Sequence, residues 1–176
     1  MGEDIFTVLI SKKTFSDPAG RFIICDLKTN GRCLTLANVY APNEDNANFF
    51  NSFFGRLLDF DREDMIIGGD FNLVLDIGKD KKGGLARTHQ NSLDVINAFC
   101  ENEDLVDVCA RFTWRQKRPE VHCRLDFFLV NQSILFNTNK VDILTGYKTD
   151  HSMITLHFLC ILMIEAKVSG SSTPLF

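Results

Sequence analysis

Three short polar clusters interrupt the apolar segments of this sequence, and they contain residue types that hydrolytic enzymes use. The first is the run Gly68-Gly69-Asp70-Phe71-Asn72. In an extended segment Asp70 and Asn72 lie on the same side, because they are two residues apart. A carboxylate beside an amide suits the activation of water next to a developing oxyanion. An Asx-turn, in which the Asp side chain accepts a hydrogen bond from nearby backbone, is the alternative interpretation.

The other two clusters are Arg124-Leu125-Asp126-Phe127-Phe128 and Thr149-Asp150-His151-Ser152. A carboxylate inside a largely apolar strand needs a partner. His151 is the natural partner for Asp126, because a carboxylate orients an imidazole and stabilises its charged form. Asp150 points away from His151 in an extended chain and is therefore available to a hard divalent cation. The alternatives are a structural ion pair of Asp126 with an arginine and a simple polar turn at 149–152.

Short strands and two amphipathic helices must position these clusters. One helix is predicted at 46–58, where two rows of Phe and Leu recur every four residues, and another follows Thr88, its predicted N-cap. The predicted strands are Ile5–Ile10, Arg21–Leu27, Cys33–Tyr40, Asp64–Gly68, Leu105–Cys109, Phe112–Gln116, Cys123–Val130, Val141–Leu144 and His151–Phe158. Asn30-Gly31 predicts a hairpin turn, and 77–86 an exposed loop. This mixed order predicts an α+β fold with stacked sheets and outer helices.

Charge is segregated along the chain. The 176 residues carry a net charge of −4, which argues against a nonspecific nucleic-acid-binding protein. Segments 79–87 and 111–124 are nevertheless basic, and 41–70 is acidic. Solvated loops would explain the basic segments, and so would two arms that flank a site for a polyanion. The candidate contacts of the second interpretation are Lys81, Lys82, Arg87, Arg115, Arg118 and Arg124.

Composition indicates an ordinary globular protein, with 45% hydrophobic and 24% charged residues. The acidic N-terminus does not resemble a signal peptide, and the longest apolar run, 153–164, is too short to span a bilayer. Six cysteines contain no CxxC and no metal-type spacing. We therefore expect an intracellular protein of the nucleus or cytoplasm with reduced thiols and no membrane partner. The sequence indicates no oligomeric state.

Taken together, the motifs resemble the endonuclease domain of non-LTR (LINE-type) retrotransposon polyproteins, in the exonuclease–endonuclease–phosphatase superfamily. The matching stretches occur in the family's order: Asn38-Val39-Tyr40-Ala41-Pro42-Asn43, Gly69-Asp70-Phe71-Asn72, Phe112-Thr113-Trp114, Arg124-Leu125-Asp126-Phe127 and Thr149-Asp150-His151-Ser152. The resemblance runs from about residue 5 to 158. It implies a DNase-like four-layered α/β sandwich, in which two mixed β-sheets are flanked by helices.

The resemblance also implies metal-dependent hydrolysis of a phosphodiester, which nicks DNA to prime reverse transcription. Tyr40 would contact the scissile phosphate, and Asp70 would activate the attacking water. Asn72 would orient Asp70 and the phosphate. His151, paired with Asp126, would stabilise the charge of the phosphorane. The implied cofactor is Mg²⁺ or Mn²⁺, placed by Asp150, with no small-molecule cofactor, and the implied partner is DNA.

Three departures from the family pattern lead us to expect a partial domain. The family domain opens with a strand that carries an Asn and with a metal-binding Glu, and no segment before Ile5 supplies either. The connection between Asp107 and Phe112 is shorter than usual. Residues 1–158 follow the family pattern, and the tail 159–176 leaves it. The tail can be encoded by codons that, read in a frame shifted by one base, would restore the family pattern. We therefore hypothesise that the tail is translated out of frame.

We therefore expect the remnant of a DNA endonuclease, weak or inactive as this fragment. A missing strand would also leave an unpaired sheet edge. The alternatives are a non-catalytic relic that binds DNA or protein and a phosphatase of the same superfamily.

Overall fold

The computed structural model describes residues 10–29, 32–85, 88–109, 111–144 and 149–159. The strands are β1 (Ile10–Ser16), β2 (Phe22–Thr29), β3 (Arg32–Tyr40), β4 (Asp64–Asp70), β5 (Lys81–Lys82), β6 (Leu105–Asp107), β7 (Trp114–Lys117), β8 (Glu120–Cys123), β9 (Asp126–Asn131), β10 (Thr138–Leu144) and β11 (Met153–Phe158). The helices are α1 (Ala47–Leu57), α2 (Ile77–Asp80), α3 (Gln90–Asn102) and α4 (Gln132–Asn137).

The largest sheet has six strands in the order β1-β2-β3-β4-β9-β6. Only β3 and β4 pair in parallel within it, so the sheet is mixed. Helix α1 connects these two parallel strands, as a crossover must. The ends of β3 and β4 therefore lie side by side, next to the beginning of the antiparallel β9.

Helices α1 and α3 cover one face of this sheet. Most of the Phe and Leu rows that predicted α1 form its buried face, at Phe50, Phe53, Phe54 and Leu57, whereas Leu58 is 50% exposed at the helix end. Phe54 stacks on Phe99 of α3 with ring centroids 4.0 Å apart. Burying one such side chain contributes about 1.5–3 kcal/mol. The aromatic stripe is therefore core, as its spacing predicted.

The opposite face packs on a second layer of strands. Leu34, Ile66 and Val130 are buried there, against the partly buried Leu156 and Phe158 of β11. This layer consists of the antiparallel pair β10-β11 and the antiparallel sheet β5-β8-β7. An isolated bridge between Trp114 and His151 connects the two. The predicted α+β arrangement of sheets flanked by helices is confirmed.

Several local predictions differ from the structure. The strand predicted at Ile5–Ile10 has its first five residues outside the described ranges, and β1 runs onward from Ile10 instead. The predicted strand Cys123–Val130 is two strands, β8 and β9, which are separated by Arg124 and Leu125. Helix α4 and the short α2 and β5 of the predicted loop were missed. Asn30 and Gly31 lie outside the described residues.

The beginning of α3 is capped from elsewhere in the chain. Thr88 is not the N-cap, which is His89 without a side-chain cap bond. The carboxylate of Asp45 accepts hydrogen bonds from the backbone N–H groups of Asn91 and Ser92 instead. The Ser92 hydroxyl also donates to this carboxylate. Its hydrogen bond is the main cause that lowers the pKa of Asp45 to about 2, and the backbone bonds add to the shift. Sequence spacing cannot reveal such a cap, because its residues are 46 and 47 positions apart.

Among the described residues, no helix is long and apolar enough to cross a bilayer. The five cysteines in these ranges are free thiols. Strand β11 ends at Phe158. Residues 160–176, which carry most of the tail to which the frame-shift hypothesis applies, lie outside the described ranges, as does Cys160.

Candidate active site

Three of the predicted site residues lie in one row across neighbouring strands. Tyr40 ends β3 and pairs with Asp70, which ends β4, in the parallel register. Asp70 in turn pairs with Asp126, the first residue of β9, in the antiparallel register. Directly paired residues carry their side chains on the same face of a sheet. The sheet topology therefore brings together residues that are up to 86 positions apart.

The chain turns sharply beside Asp70, and Gly69 and Asn72 make the turn possible. Gly69 has a φ of +138°, and a Cβ there would collide with the carbonyl oxygen of Val39, so only glycine fits. Asn72 has a φ of +52°. Its backbone N–H donates to Asp70 Oδ1 over 2.9 Å, which is the Asx-turn of the alternative interpretation. The extended geometry predicted for residues 70–72 is wrong, because Asn72 adopts the left-handed conformation.

The Asn72 side chain does not bond Asp70. Its Nδ2 donates to the carbonyl oxygen of Ala41 over 2.8 Å and so ties the β4 turn to the end of β3. Asn72 therefore fixes the Asp70 carboxylate through its backbone and the neighbouring strand through its side chain. The Asx-turn and a functional site are compatible here, because the turn leaves Asp70 Oδ2 outside the bond.

His151 reaches this row from the second layer. Its Nδ1 lies 2.9 Å from Asp126 Oδ2, and its Nε2 lies 3.8 Å from Asp70 Oδ2. One ligand atom from each of these three residues falls within 4.8 Å of the other two, so together they could hold a metal ion. The pairing of Asp126 with His151, rather than with an arginine, is the geometry that the motif reasoning expected.

Electrostatics at Asp70 are unusual. Burial is the main cause that raises its pKa, and the charges of Asp126 and Asp150 add to it, to a pKa of about 6. The Asn72 N–H and His151 oppose this shift. The carboxylates of Asp70, Asp126 and Asp150 lie close together, and neighbouring groups offset only part of their negative charge. Such a site suits a hard divalent cation, which prefers oxygen ligands. The donor set thus fits a metal of the Mg²⁺ type better than a structural zinc site.

Asp150 lies beside this cluster but faces Trp114. The indole Nε1–H donates to Asp150 Oδ2 over 2.8 Å, and this bond is the main cause that lowers the pKa of Asp150. The Asp150 carboxylate is exposed and keeps its charge. The sequence singled out both residues but gave no sign that they touch.

Thr113 is a site-positioning residue that sequence reasoning missed. It is 1% exposed, and its hydroxyl oxygen accepts the backbone N–H groups of Leu125 and Asp126, each over 3.0 Å. Its carbonyl accepts the N–H of Ser152 over 2.7 Å. One residue therefore joins the segment of Asp126 to that of His151. A polar residue between two aromatics in Phe112-Thr113-Trp114 was the available signal.

Behind the two carboxylates lies a pair of stacked rings. Phe71 and Phe127 each follow a site Asp in the chain, and both are fully buried. Their ring centroids are 4.0 Å apart with an interplanar angle of 11°. The spacing of Asp70 and Asp126 is thus supported from the core side by a packed aromatic contact.

The predicted DNA contacts divide into two groups. Lys81, Lys82 and Arg115 belong to the sheet β5-β8-β7, and Arg118 lies in the turn between β7 and β8. Lys82, Arg115 and Arg118 are exposed, and Lys81 is half-buried. Arg87 lies outside the described residues.

Arg124 is not a surface residue, and its prediction as a DNA contact is wrong. It is 4% exposed, and its Nε and Nη2 each donate to the Asp80 carboxylate over 2.8 Å. Its Nη1 lies 2.5 Å from Asp107 Oδ2. A buried guanidinium held by two carboxylates cannot reach a phosphate. Its role is to fix the chain two residues before Asp126.

Sequence comparison finds a transposon protein. The chain is 27% identical, over 154 residues, to the "Transposon TX1 uncharacterized 149 kDa protein" of Xenopus laevis. The match covers 78% of this chain and 11% of that protein, so the chain spans only a small part of its relative's length. No protein-family model matches the sequence.

Structural comparison finds nucleases. The endonuclease domain of TRAS1, a telomere-specific non-LTR retrotransposon, is similar with a TM-score of 0.64 and 14% identity, over 83% of this chain and 68% of that one. The 3′-5′ exonuclease NExo from Neisseria meningitidis gives 0.63 and 17%, over 85% and 72%. The AP endonuclease LMAP from Leishmania major gives 0.62 and 16%, over 78% and 54%. The DNase-like fold implied by the resemblance is confirmed.

Proposed function

We propose that this chain is the endonuclease portion of a non-LTR retrotransposon protein and hydrolyses a phosphodiester bond of DNA with a divalent cation. The observation that carries the proposal is the cluster of Asp70, Asp126 and His151 at one edge of a DNase-like sheet. The transposon relative supports the retroelement origin. A DNA target would place its action in the nucleus or the cytoplasm.

Asp70 is the proposed base for the attacking water. Its Oδ1 is held by the Asn72 N–H, which leaves Oδ2 directed toward the site. A carboxylate with a pKa of about 6 accepts a proton more readily than one with an ordinary pKa and is still ionised at pH 7. Asp70 would take a proton from the water, and the hydroxide-like oxygen would bond to phosphorus as one ester P–O bond of the DNA strand breaks. The leaving oxygen would take its proton from solvent.

His151 is the proposed stabiliser of the phosphorane. When its Nδ1–H donates to Asp126, the carboxylate fixes the ring orientation. Nε2 then faces the space next to Asp70, where negative charge develops on the phosphoryl oxygens, and a proton on Nε2 would donate to that charge. Tyr40, half exposed beside Asp70 in the same row, would contact the scissile phosphate.

Asp150 would place the divalent cation at the edge of the site, next to the carboxylates of Asp70 and Asp126. A bound Mg²⁺ or Mn²⁺ would supply Lewis-acid stabilisation of the phosphate charge. Asp150 would contribute through its exposed carboxylate, which the Trp114 indole orients. Lys82, Arg115 and Arg118 would contact the DNA backbone on either side, since phosphate contacts position the duplex without reading its sequence.

Nicking of supercoiled plasmid tests this proposal. We expect slow conversion to the open-circular form with Mg²⁺ or Mn²⁺ and none with EDTA. Asp70→Asn and His151→Ala should abolish nicking, and Asp150→Ala should weaken it. Glu101→Ala, an exposed substitution on α3, which covers the other face of the sheet, is the matched control. Metal-dependent nicking that survives both Asp70→Asn and His151→Ala would refute the proposed roles.

A phosphomonoesterase is the second candidate, because a solved structure that this fold matches is described as the 3′ phosphatase NExo bound to a product DNA hairpin, at a TM-score of 0.60 and 17% identity. A DNA hairpin with a 3′-phosphate distinguishes the two. Release of inorganic phosphate from it without plasmid nicking would favour the phosphatase. DNA binding with neither reaction would favour the non-catalytic relic.

A further inference from the structure

Arg21 lies beside the candidate active site, and none of the roles proposed above uses it. It directly precedes β2, whose register pairs Phe22 with Val39, so Arg21 lies opposite Tyr40. The N–H of Tyr40 donates to the carbonyl oxygen of Arg21 over 2.7 Å. Arg21, Tyr40, Asp70 and Asp126 therefore form one row across four neighbouring strands. With strands about 4.8 Å apart, the backbone of Arg21 lies about 10 Å from that of Asp70.

The Arg21 side chain stacks on Tyr40. Its guanidinium carbon is 5.0 Å from the centre of the Tyr40 ring, which is 53% exposed. A guanidinium over an aromatic face is attracted by the ring and keeps its planar donor edge directed outward. The stack therefore orients Arg21 at the open side of the site.

The donors of this guanidinium are not committed to a carboxylate. Arg32, Arg56 and Arg62 each form an ion pair with an acidic side chain. Arg21 has no ion-pair partner within the described part of the chain. The nearby Asp17 carboxylate instead accepts the backbone N–H of Arg21 over 3.0 Å. An arginine that is stacked, half-buried and unpaired is prepared for an oxyanion, and phosphate accepts its donors in a bidentate manner.

We propose that Arg21 binds a backbone phosphate of DNA near the one that would be cut. This rests on the proposed function and adds a substrate-binding residue to it. Phosphates follow each other about every 3.4 Å along the axis of one strand, so a distance of about 10 Å from Asp70 corresponds to a phosphate within about three positions of the scissile one. Arg21 would fix the register of the strand over Tyr40 and Asp70.

Salt-dependent DNA binding tests the assignment without relying on cleavage. A fluorescein-labelled duplex is titrated with the Asp70→Asn protein, and Arg21→Ala and Arg21→Lys are compared in the same background. We expect Arg21→Ala to weaken binding about ten-fold at low salt. The slope of log K against log salt should fall by about 0.9, the value for one lost phosphate contact. Arg21→Lys should keep the slope and lose part of the affinity, because lysine retains the charge but not the fork.

Arg56→Ala is the matched control. Arg56 also stacks on an aromatic ring, with its guanidinium carbon 4.5 Å from the Phe15 centroid, but it lies on α1, on the helix-covered face. Arg56→Ala removes the same charge and a similar stacking contact, and we expect it to leave DNA binding unchanged. Equal losses for Arg56→Ala and Arg21→Ala, or no loss for Arg21→Ala, would overturn the assignment and leave the nuclease proposal intact. Failure of the parent protein to bind DNA would overturn both.

Discussion

Replacing Thr113 by valine should destabilise the protein, although the two side chains have nearly the same shape. The valine lacks the oxygen that accepts the N–H groups of Leu125 and Asp126. Each buried donor left without a partner costs about 1–3 kcal/mol, and because these two donors are only part-buried we expect a loss of about 2–4 kcal/mol in the free energy of unfolding. Thr113→Ser keeps the oxygen and loses one buried methyl group, at a cost of about 1 kcal/mol.

Urea unfolding, followed by circular dichroism, measures both variants. With a denaturant slope of about 2 kcal/mol per molar, the midpoint should fall by about 1–2 M for Thr113→Val and by about 0.5 M for Thr113→Ser. Because Asp126 is released as well, Thr113→Val should also lose nicking activity that Thr113→Ser retains. A valine variant at least as stable as the serine variant would refute the role of the hydroxyl.

Two further predictions concern charged side chains. The pKa of Asp70 is raised to about 6 in the folded protein from an ordinary value of 3.8, so this carboxylate lowers stability as pH rises from about 4 to about 6. Asp70→Asn should therefore raise the melting temperature at pH 7.5 and not at pH 4. Asp45→Asn, at a carboxylate whose pKa is lowered, should lower the melting temperature at pH 7.5. Melting temperatures for these two variants that shift in the same direction would contradict the electrostatic account. Arg124→Met should cost about 3–5 kcal/mol, because it leaves the buried Asp80 carboxylate unpaired and removes the ion pair with Asp107, whereas Asp80→Asn should cost less, because Arg124 keeps Asp107. Urea midpoints in the reverse order would refute this division of roles.

The sequence predicted the parts of this fold that local patterns encode. The four-residue spacing of Phe and Leu identified α1 and its buried face. The site residues were found as isolated motifs, because Asp or His inside apolar strands stands out from its neighbours. Their convergence needed the pairing of β3, β4 and β9, and strand order is a long-range property that periodicity does not report.

The wrong and missed predictions also depend on contacts between residues that are distant in the sequence. Arg124 was assigned to DNA because a basic segment suggests a surface, and only the positions of Asp80 and Asp107 in space show that it is buried. Thr113 was overlooked because its position between two aromatic residues does not show which hydrogen bonds it accepts. The cap of α3 by Asp45 could not be read for the same reason.

The stacked Phe71 and Phe127 have a consequence for how such a chain can change over generations. Each ring is adjacent in sequence to a site carboxylate, yet the rings lie in the core and the carboxylates lie in the polar row. A replacement such as Asp70→Asn removes the proposed chemistry and leaves the stack in place, whereas loss of either Phe removes core and site together. Selection for a folded chain thus preserves the geometry of the row without preserving its reactivity. A descendant of this chain that has lost its activity can therefore keep the geometry of the site.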